Sequence, residues 1–173
     1  MTTKNECLQI IGEIAVQWSS VESCVKDLLW LYVGTDRPTF DMLFGRANAV
    51  HVENMLRKFV RAKEVNDVAK ADALEALDRT GILRSSRNVI LHEMRSEHVE
   101  DPATLLPKLV ATRDALSSHS VALLECSARL RVFVGQRDAL ETPDGVDDLP
   151  DADARVPAYE AIEWPLKSEK IGF

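Results

Sequence analysis

The sequence predicts an all-α fold, and two long stripes of mainly apolar residues are the main reason. Within residues 5–33 and again within residues 102–137, these side chains recur at alternating intervals of four and three. That spacing places them on one face of an α-helix, whereas a half-buried strand has a period of two. We therefore expect an up-and-down bundle of four main helices, with one short helix after Pro38.

The first helix is predicted from Asn5 to Val33 and would end at Gly34, because glycine readily adopts the left-handed conformation that closes many helices. Since Trp18 lies on its stripe, packing in the core is favoured over base stacking as the role of the indole. The stripe comprises Cys7, Ile11, Ile14, Trp18, Val21, Val25, Leu28 and Tyr32.

A break at Asp36-Arg37-Pro38 precedes a short apolar segment, Phe40 to Phe44, and Pro38 suits the first turn of a helix. Asn48 is the predicted N-cap of the second main helix, which would run to about Lys63. Its predicted inward residues are Val52, Met55, Leu56, Phe59 and Val60. The basic residues in its second half either face water or attract a phosphate backbone. They are Arg57, Lys58, Arg61 and Lys63.

The third main helix is expected to begin near Asp67, with Gly81 marking a bend or a close helix crossing. A polar loop is predicted over residues 93–101. The inward residues are predicted to be Val68, Ala71, Leu74, Leu77 and Ile82.

The fourth main helix is predicted to start at Pro102 or Pro107 and to end near Arg137. A lone histidine on its stripe, His119, is interpreted as a hydrogen-bonded core residue rather than a ligand. The stripe comprises Leu109, Thr112, Leu116, His119, Leu123, Cys126, Leu130 and Phe133.

Charge divides the chain into a helical bundle, residues 5–137, and an acidic, proline-containing tail, residues 138–173. The first 137 residues hold 18 acidic and 18 basic residues, whereas the tail holds 10 and 3. The net charge of −7 therefore comes from the tail, and the bundle remains compatible with RNA binding. We expect Trp164 and Tyr159 to dock the tail onto the bundle, where its acids could also compete with RNA.

The remaining composition is that of an ordinary soluble protein, with 46% hydrophobic and 28% charged residues. No apolar run approaches the roughly 18 residues of a membrane span, and the N-terminus lacks the order of a signal peptide. Three cysteines without a Cys-x-x-Cys pair indicate reduced thiols and a cytoplasmic location. No metal-ligand or phosphate-loop motif is present, so neither a metal nor another cofactor is expected.

The candidate site lies near the middle of the chain, where Asn88 directly follows Arg87 and His92 lies five residues after that arginine. Arginine binds phosphate through a planar fork of donors, and histidine transfers protons near neutral pH. This combination indicates chemistry on a phosphodiester. The alternative is structural, with Arg87 in a salt bridge and His92 capping the helix C-terminus.

The pattern Arg-Asn-x-x-x-His at the end of a helix, in a small all-helical chain, resembles the HEPN domains over about residues 5–137. Many of these are metal-independent ribonucleases with an Arg-x(4–6)-His motif. The resemblance implies cleavage of single-stranded RNA by its own 2′-hydroxyl, with His92 as general base or acid and Arg87 holding the scissile phosphate. It also implies a homodimer whose two motifs face each other, and a toxin or phage-defence setting with an antitoxin or another protein partner.

In that scheme Asn88 would orient the phosphate or the histidine, and Arg84, one turn earlier, would add phosphate affinity. Arg57, Lys58 and Arg61 are further candidates for substrate binding, and Arg95 is a weaker one. The homodimer is predicted to form mainly through the third and fourth main helices. The alternative function is a non-catalytic helical module that binds a protein or nucleotide through the same cleft.

Helical geometry places a condition on the motif. Positions five apart lie about 140° apart around an ideal helix, so Arg87 and His92 cannot both point into one narrow pocket. Either the helix ends or bends by Leu91, or a cleft between two subunits collects both side chains.

Overall fold

The computed structural model describes residues 3–95 and 102–141, which form five α-helices and no strand. This confirms the all-α bundle and its short additional helix. The helices are α1 (Thr3–Val33), α2 (Arg37–Phe44), α3 (Ala49–Lys63), α4 (Asp67–Arg95) and α5 (Pro102–Glu141).

The turn between α1 and α2 is closed by local hydrogen bonds. Gly34 has φ 71° and its N–H donates to the Trp30 carbonyl at 3.0 Å, as expected of a helix-closing glycine. Asp36 caps α2 by accepting the Thr39 N–H at 3.0 Å, and this bond lowers the pKa of the Asp36 carboxyl. The chain then returns alongside α1.

Asn48 is the N-cap of α3, as predicted, because its Oδ1 accepts the His51 N–H at 2.8 Å. At the other end of α3, the buried Glu64 accepts hydrogen bonds from the Tyr32 hydroxyl at 3.0 Å and from the Asn66 N–H at 3.1 Å. The start of α3 lies beside the middle of α1 and its end beside Tyr32, so the two helices run parallel, with α2 as the return segment.

The cross-helix ion pairs give the directions of the other two helices. Arg57 pairs with Asp78, and Arg84 pairs with Glu53, so α4 runs antiparallel to α3. In the two ion pairs between α5 and α1, the residue numbers increase in the same direction along both helices, so α5 runs parallel to α1. These pairs are Arg113–Glu13 at 3.2 Å and Arg131–Asp27 at 4.0 Å.

The core follows the two predicted stripes. On α1 every stripe residue is buried except Ile11, which is partly buried, and on α5 every described stripe side chain is at most 1% exposed. The α1–α5 pair makes the most extensive helix contact of the bundle. On α3, Val52, Leu56 and Val60 are buried, while Met55 and Phe59 pack partly buried against the core.

The inward face predicted for α4 is partly wrong. Val68, Ala71 and Ile82 are exposed, Leu74 is partly buried, and Leu77 is buried as expected. The buried face is built largely from small residues, whereas the outer side carries larger apolar residues. The hydrophobic pattern of the sequence therefore does not distinguish the two faces. Its members are Ala69, Ala73, Ala76, Leu77, Thr80, Leu83, Ser86 and Ile90.

No helix of the described ranges packs closely over Gly81. A Cβ at this position would meet, within 4 Å, only the Nη2 atom of Arg84 at 3.9 Å, and α4 continues through it. The close crossing predicted at Gly81 is therefore wrong.

Both long C-terminal helices extend further than predicted. Since α4 continues to Arg95, residues 93–95 are helical rather than loop, and residues 96–101 lie outside the described residues. Helix α5 starts at Pro102, contains Pro107 and ends at Glu141, so the first four residues assigned to the tail are helical. The docking predicted for Trp164 and Tyr159 concerns residues outside the described ranges.

His119 is a hydrogen-bonded core residue, as predicted. It is 1% exposed and its Nε2 lies 2.9 Å from the Thr80 Oγ1. The Thr80 hydroxyl donates to the Ala76 carbonyl at 2.9 Å, so it accepts from the His119 N–H. Burial, together with the nearby Arg79 guanidinium, lowers the pKa of His119 to about 4. The ring is neutral at pH 7.

Within residues 3–95 and 102–141, none of the helices combines the length and the apolar character that a membrane span requires.

Candidate functional site

An open groove of about 490 Å³ lies where the middle of α1, the start of α3 and the second half of α4 meet. One helix contributes an aromatic floor, and the other two contribute polar and cationic walls. The principal side chains are Trp18 and Glu22 of α1, Asn48, His51 and Asn54 of α3, and Arg84 and Arg87 of α4.

The Arg87 guanidinium is oriented within this groove by two neighbours. Its central carbon lies 4.7 Å from the centroid of the Trp18 ring, and its Nε and Nη2 donate to the Asn88 Oδ1 at 3.2 and 2.8 Å. Among the described residues, no carboxylate lies within salt-bridge distance of it. Three of its five N–H donors are therefore not used by these contacts.

Trp18 is 4% exposed, which confirms its predicted place in the core. Its Nε1 donates to the Glu22 carboxylate at 2.7 Å, so the polar atom of the indole is satisfied. The ring nevertheless contributes to the groove because its face supports Arg87. A tryptophan face attracts a cation, which stabilises the guanidinium without neutralising its charge.

Arg84 lies one turn before Arg87 but is held differently. Its Nη1 donates to the Glu53 carboxylate, and the two side chains are 24% and 6% exposed. The buried Glu53 carboxylate requires a cationic partner, so Arg84 has a structural role. Its positive charge is largely neutralised, so an anion entering the groove is attracted mainly to Arg87.

The remaining predicted substrate-binding residues lie along α3. Arg57 pairs with Asp78 at 2.7 Å, whereas Lys58 and Arg61 are exposed and make no salt bridge with a described residue. The sequence positions 51, 54, 58 and 61 follow helical spacing, so His51, Asn54, Lys58 and Arg61 share one face of α3. We call these four residues the α3 stripe.

His92 is exposed and does not line the groove. Helix α4 continues through Leu91 to Arg95, so the expected end of the helix by Leu91 does not occur. Arg87 and His92 therefore remain about 140° apart around α4. Asn88 contacts the arginine rather than the histidine. The structure brings Arg84 and Arg87 together in the groove and leaves His92 on a different face.

His51 is a groove residue that the sequence patterns did not indicate. It lies 36 residues before Arg87 in the chain, so no local motif joins the two. Its ring is exposed in the groove, and the bond to Asn48 involves only its backbone N–H. The signal that could have identified it is the α3 stripe, which starts one turn inside the predicted N-cap.

The charges around the groove have both signs. Glu22 is held by the Trp18 indole, Glu53 is paired with Arg84, and Lys26 lies in an adjoining cavity of about 240 Å³. Arg87 is the groove cation that no described carboxylate neutralises.

Comparison of the chain with protein-family models, with curated proteins and with solved structures finds no match.

Proposed function

We propose that the chain is a metal-independent endoribonuclease of the HEPN type that cleaves single-stranded RNA through the 2′-hydroxyl. The observation that carries this proposal is the state of Arg87. Trp18 supports one face of its guanidinium, Asn88 holds one edge, and no described carboxylate occupies its remaining donors. An arginine held in this way is prepared to bind a phosphate through two parallel hydrogen bonds.

Arg87 would bind the two non-bridging oxygens of the scissile phosphate. The 2′-hydroxyl attacks phosphorus, the bond to the 5′-oxygen breaks, and the products end in a 2′,3′-cyclic phosphate and a 5′-hydroxyl. Arg87 stabilises the negative charge that develops on the phosphate oxygens. His92 transfers a proton in this reaction, as general base or acid.

His92 reaches the phosphate from a second subunit in this proposal, because within one chain it points away from the groove. Exposed apolar residues support a contact on that side of α4. Ile82 is 55% exposed and Val89 is 42% exposed, and both lie within about 80° of His92 around the helix. A homodimer interface that joins this face of one subunit to the groove of the other would bury them and bring His92 to the phosphate.

Light scattering tests the dimer. Wild type should have the mass of a dimer at micromolar concentration, and Ile82→Asp with Val89→Asp should be monomeric and inactive. Val16→Asp is the matched control, since Val16 is 67% exposed on α1. A monomeric wild-type protein, or a double variant that still dimerises, would contradict this interface.

The α3 stripe gives the RNA strand a path away from Arg87. Lys58 and Arg61 lie two and three helical turns beyond His51 and face solvent without a described salt-bridge partner. They can therefore contact successive phosphates without first losing an ion pair. Arg57 and Arg84 are paired with carboxylates and are better interpreted as residues that stabilise the groove walls.

The direct test is cleavage of mixed single-stranded RNAs in EDTA by wild type, Arg87→Ala, His92→Ala and Arg129→Ala. Wild type and Arg129→Ala should produce cyclic phosphate ends, whereas loss of His92 should lower the rate on the order of 10²–10⁴-fold. Arg129 pairs with Glu125 on α5, away from the groove, and is the matched control. RNAs with a 2′-deoxy linkage should resist cleavage. Equal rates in all four proteins would point to a contaminant.

A non-catalytic module that binds a nucleotide or protein is the second candidate, favoured by the position of His92 outside the groove. This candidate predicts binding of nucleotides by Arg87 without cleavage of any RNA. A cytoplasmic location is proposed for either function, because Cys7, Cys24 and Cys126 are buried and the sequence contains no Cys-x-x-Cys pair. A toxin or phage-defence setting, with an antitoxin or other protein partner, is proposed on the HEPN resemblance alone.

A further inference from the structure

We propose that His51 is a proton-transfer residue of this site, acting in the same chain as the Arg87 that holds the phosphate. The inference rests on the proposed RNA cleavage and assigns a second imidazole to it. His51 and Arg87 belong to α3 and α4, and both side chains line the same open groove above Trp18.

The reaction itself requires two proton transfers. As the 2′-oxygen bonds to phosphorus, its proton must leave, and as the bond to the 5′-oxygen breaks, that oxygen must gain a proton. One neutral imidazole can accept the first proton and one protonated imidazole can donate the second. His92 supplies one of these groups, and Arg87 stabilises the phosphate between them. His51 supplies the other group, and exchange with water restores both histidines after each turnover.

A purely structural role does not account for the His51 ring. The cap of α3 uses only its backbone N–H, and the ring is exposed and makes no hydrogen bond or ion pair with a described residue. Removing the ring therefore leaves the recorded contacts of α3 intact. By contrast, His51 lines the same groove as Arg87, which is the observation that relates it to a bound phosphate.

The chemistry of the stripe also favours RNA as the ligand. From His51 the stripe continues through Asn54 to Lys58 and Arg61, so His51 is at the groove end of an exposed polar and basic row. An RNA strand bound along the α3 stripe would place one phosphodiester at His51 and Arg87, and the next phosphodiesters would lie toward Lys58 and Arg61.

The test measures the pH dependence of RNA cleavage by wild type, His51→Ala, His92→Ala and Arg129→Ala. Wild type should give a bell-shaped profile with one acidic and one basic limb, and His51→Ala should lose one limb and 10²–10⁴-fold in rate. Added imidazole should partly restore His51→Ala, which a merely structural defect would not permit. Circular dichroism should show the same helix content in all four proteins.

Binding is followed separately with a dinucleotide that carries a 2′-O-methyl group and cannot be cleaved. Its addition should shift the NMR signals of the His51 ring in wild type but not in Arg87→Ala. If wild type cleaves RNA while His51→Ala keeps its rate and both limbs, the His51 inference is wrong and the ribonuclease proposal stands. If wild type cleaves no RNA, the ribonuclease proposal fails and the His51 role fails with it.

Discussion

Helix α4 has a sealed side and an open side, and a histidine from a neighbouring helix lies on each. On the sealed side His119 of α5 is 1% exposed, is hydrogen bonded to Thr80 and lies near the positive charge of Arg79. On the open side His51 of α3 faces a solvent-filled groove beside Arg84 and Arg87. Burial makes the His119 imidazole part of the packing, whereas His51 stays exposed at the groove that also contains Arg87, which no described carboxylate neutralises.

The same contrast separates the two groove arginines. Arg84 is paired with the buried Glu53, so its removal should damage the fold. Arg87 is held by an aromatic face and an amide oxygen, so its removal should damage ligand binding more than stability. Measurements of stability and of ligand binding separate these roles.

The sealed histidine should make stability depend on pH. Its pKa is lowered from 6.5 to about 4 on folding, so between these values the unfolded chain binds a proton that the folded chain does not. The free energy of unfolding should therefore fall as pH decreases from 6.5 to 4, by about 3 kcal/mol in total, and the full stability is present above pH 6.5.

Urea unfolding of wild type and His119→Gln at several pH values measures this term. The carboxylates titrate in both proteins, so the difference between their pH slopes isolates the histidine. Identical slopes would mean that His119 is accessible to protons in the folded state.

Arg84→Ala should destabilise the protein by about 2–3 kcal/mol, because Glu53 would remain buried without its partner. Adding Glu53→Leu should recover much of this loss, since no unpaired charge then remains. Lys70→Ala, which breaks a surface pair with the exposed Asp67, should cost at most about 0.5 kcal/mol. If Arg84→Ala is as mild as Lys70→Ala, the structural role of Arg84 is wrong.

Arg87→Ala should lower the free energy of unfolding by only about 1 kcal/mol, the value of a cation–π contact between a partly exposed guanidinium and the buried Trp18 indole. Urea unfolding at pH 7 checks this value against Arg84→Ala in the same buffer. A larger loss than that of Arg84→Ala would reverse the assigned roles of the two arginines.

The α3 stripe should have the smallest effect, visible as salt dependence. Lys58→Ala and Arg61→Ala should each reduce the slope of log binding constant against log salt by about 0.7, as expected for one lost contact to single-stranded RNA. Titrations of an uncleavable RNA between low and moderate salt measure the slope. Unchanged slopes would show that the strand does not follow α3.

Sequence patterns were sufficient for the bundle where an apolar stripe was strong. The stripes of α1 and α5 became the core because large apolar side chains recur there at helical intervals. The inward face of α4 was misassigned because alanines, Thr80 and Ser86 form it, while Val68 and Ile82 face outward. Because small residues face the core and larger apolar residues face outward, the hydrophobic periodicity of α4 does not identify its buried face.

The candidate site was only partly accessible from the sequence. Arg87 and Asn88 were identified through a local motif, but the pairing of Arg84 with Glu53 and the support from Trp18 depend on contacts between helices. His51 was missed for the same reason, since it meets Arg87 only after α3 and α4 pack together. The separation of about 140° between Arg87 and His92 could be predicted from helical geometry, and it is kept because α4 continues as a helix past His92.

The central claim is that Arg87 is the phosphate-binding arginine of an open groove, whereas Arg84 is structural. The most direct measurement is the equilibrium affinity of a single-stranded 2′-O-methyl RNA for wild type, Arg87→Ala, Arg87→Lys and Arg129→Ala at one fixed salt concentration. We predict that Arg87→Ala loses at least about tenfold in affinity, consistent with a charge-assisted hydrogen bond of roughly 1.5–3 kcal/mol. Arg87→Lys should recover little, because lysine lacks the planar fork, and Arg129→Ala should bind as wild type. Equal affinities for all four proteins would contradict the claim.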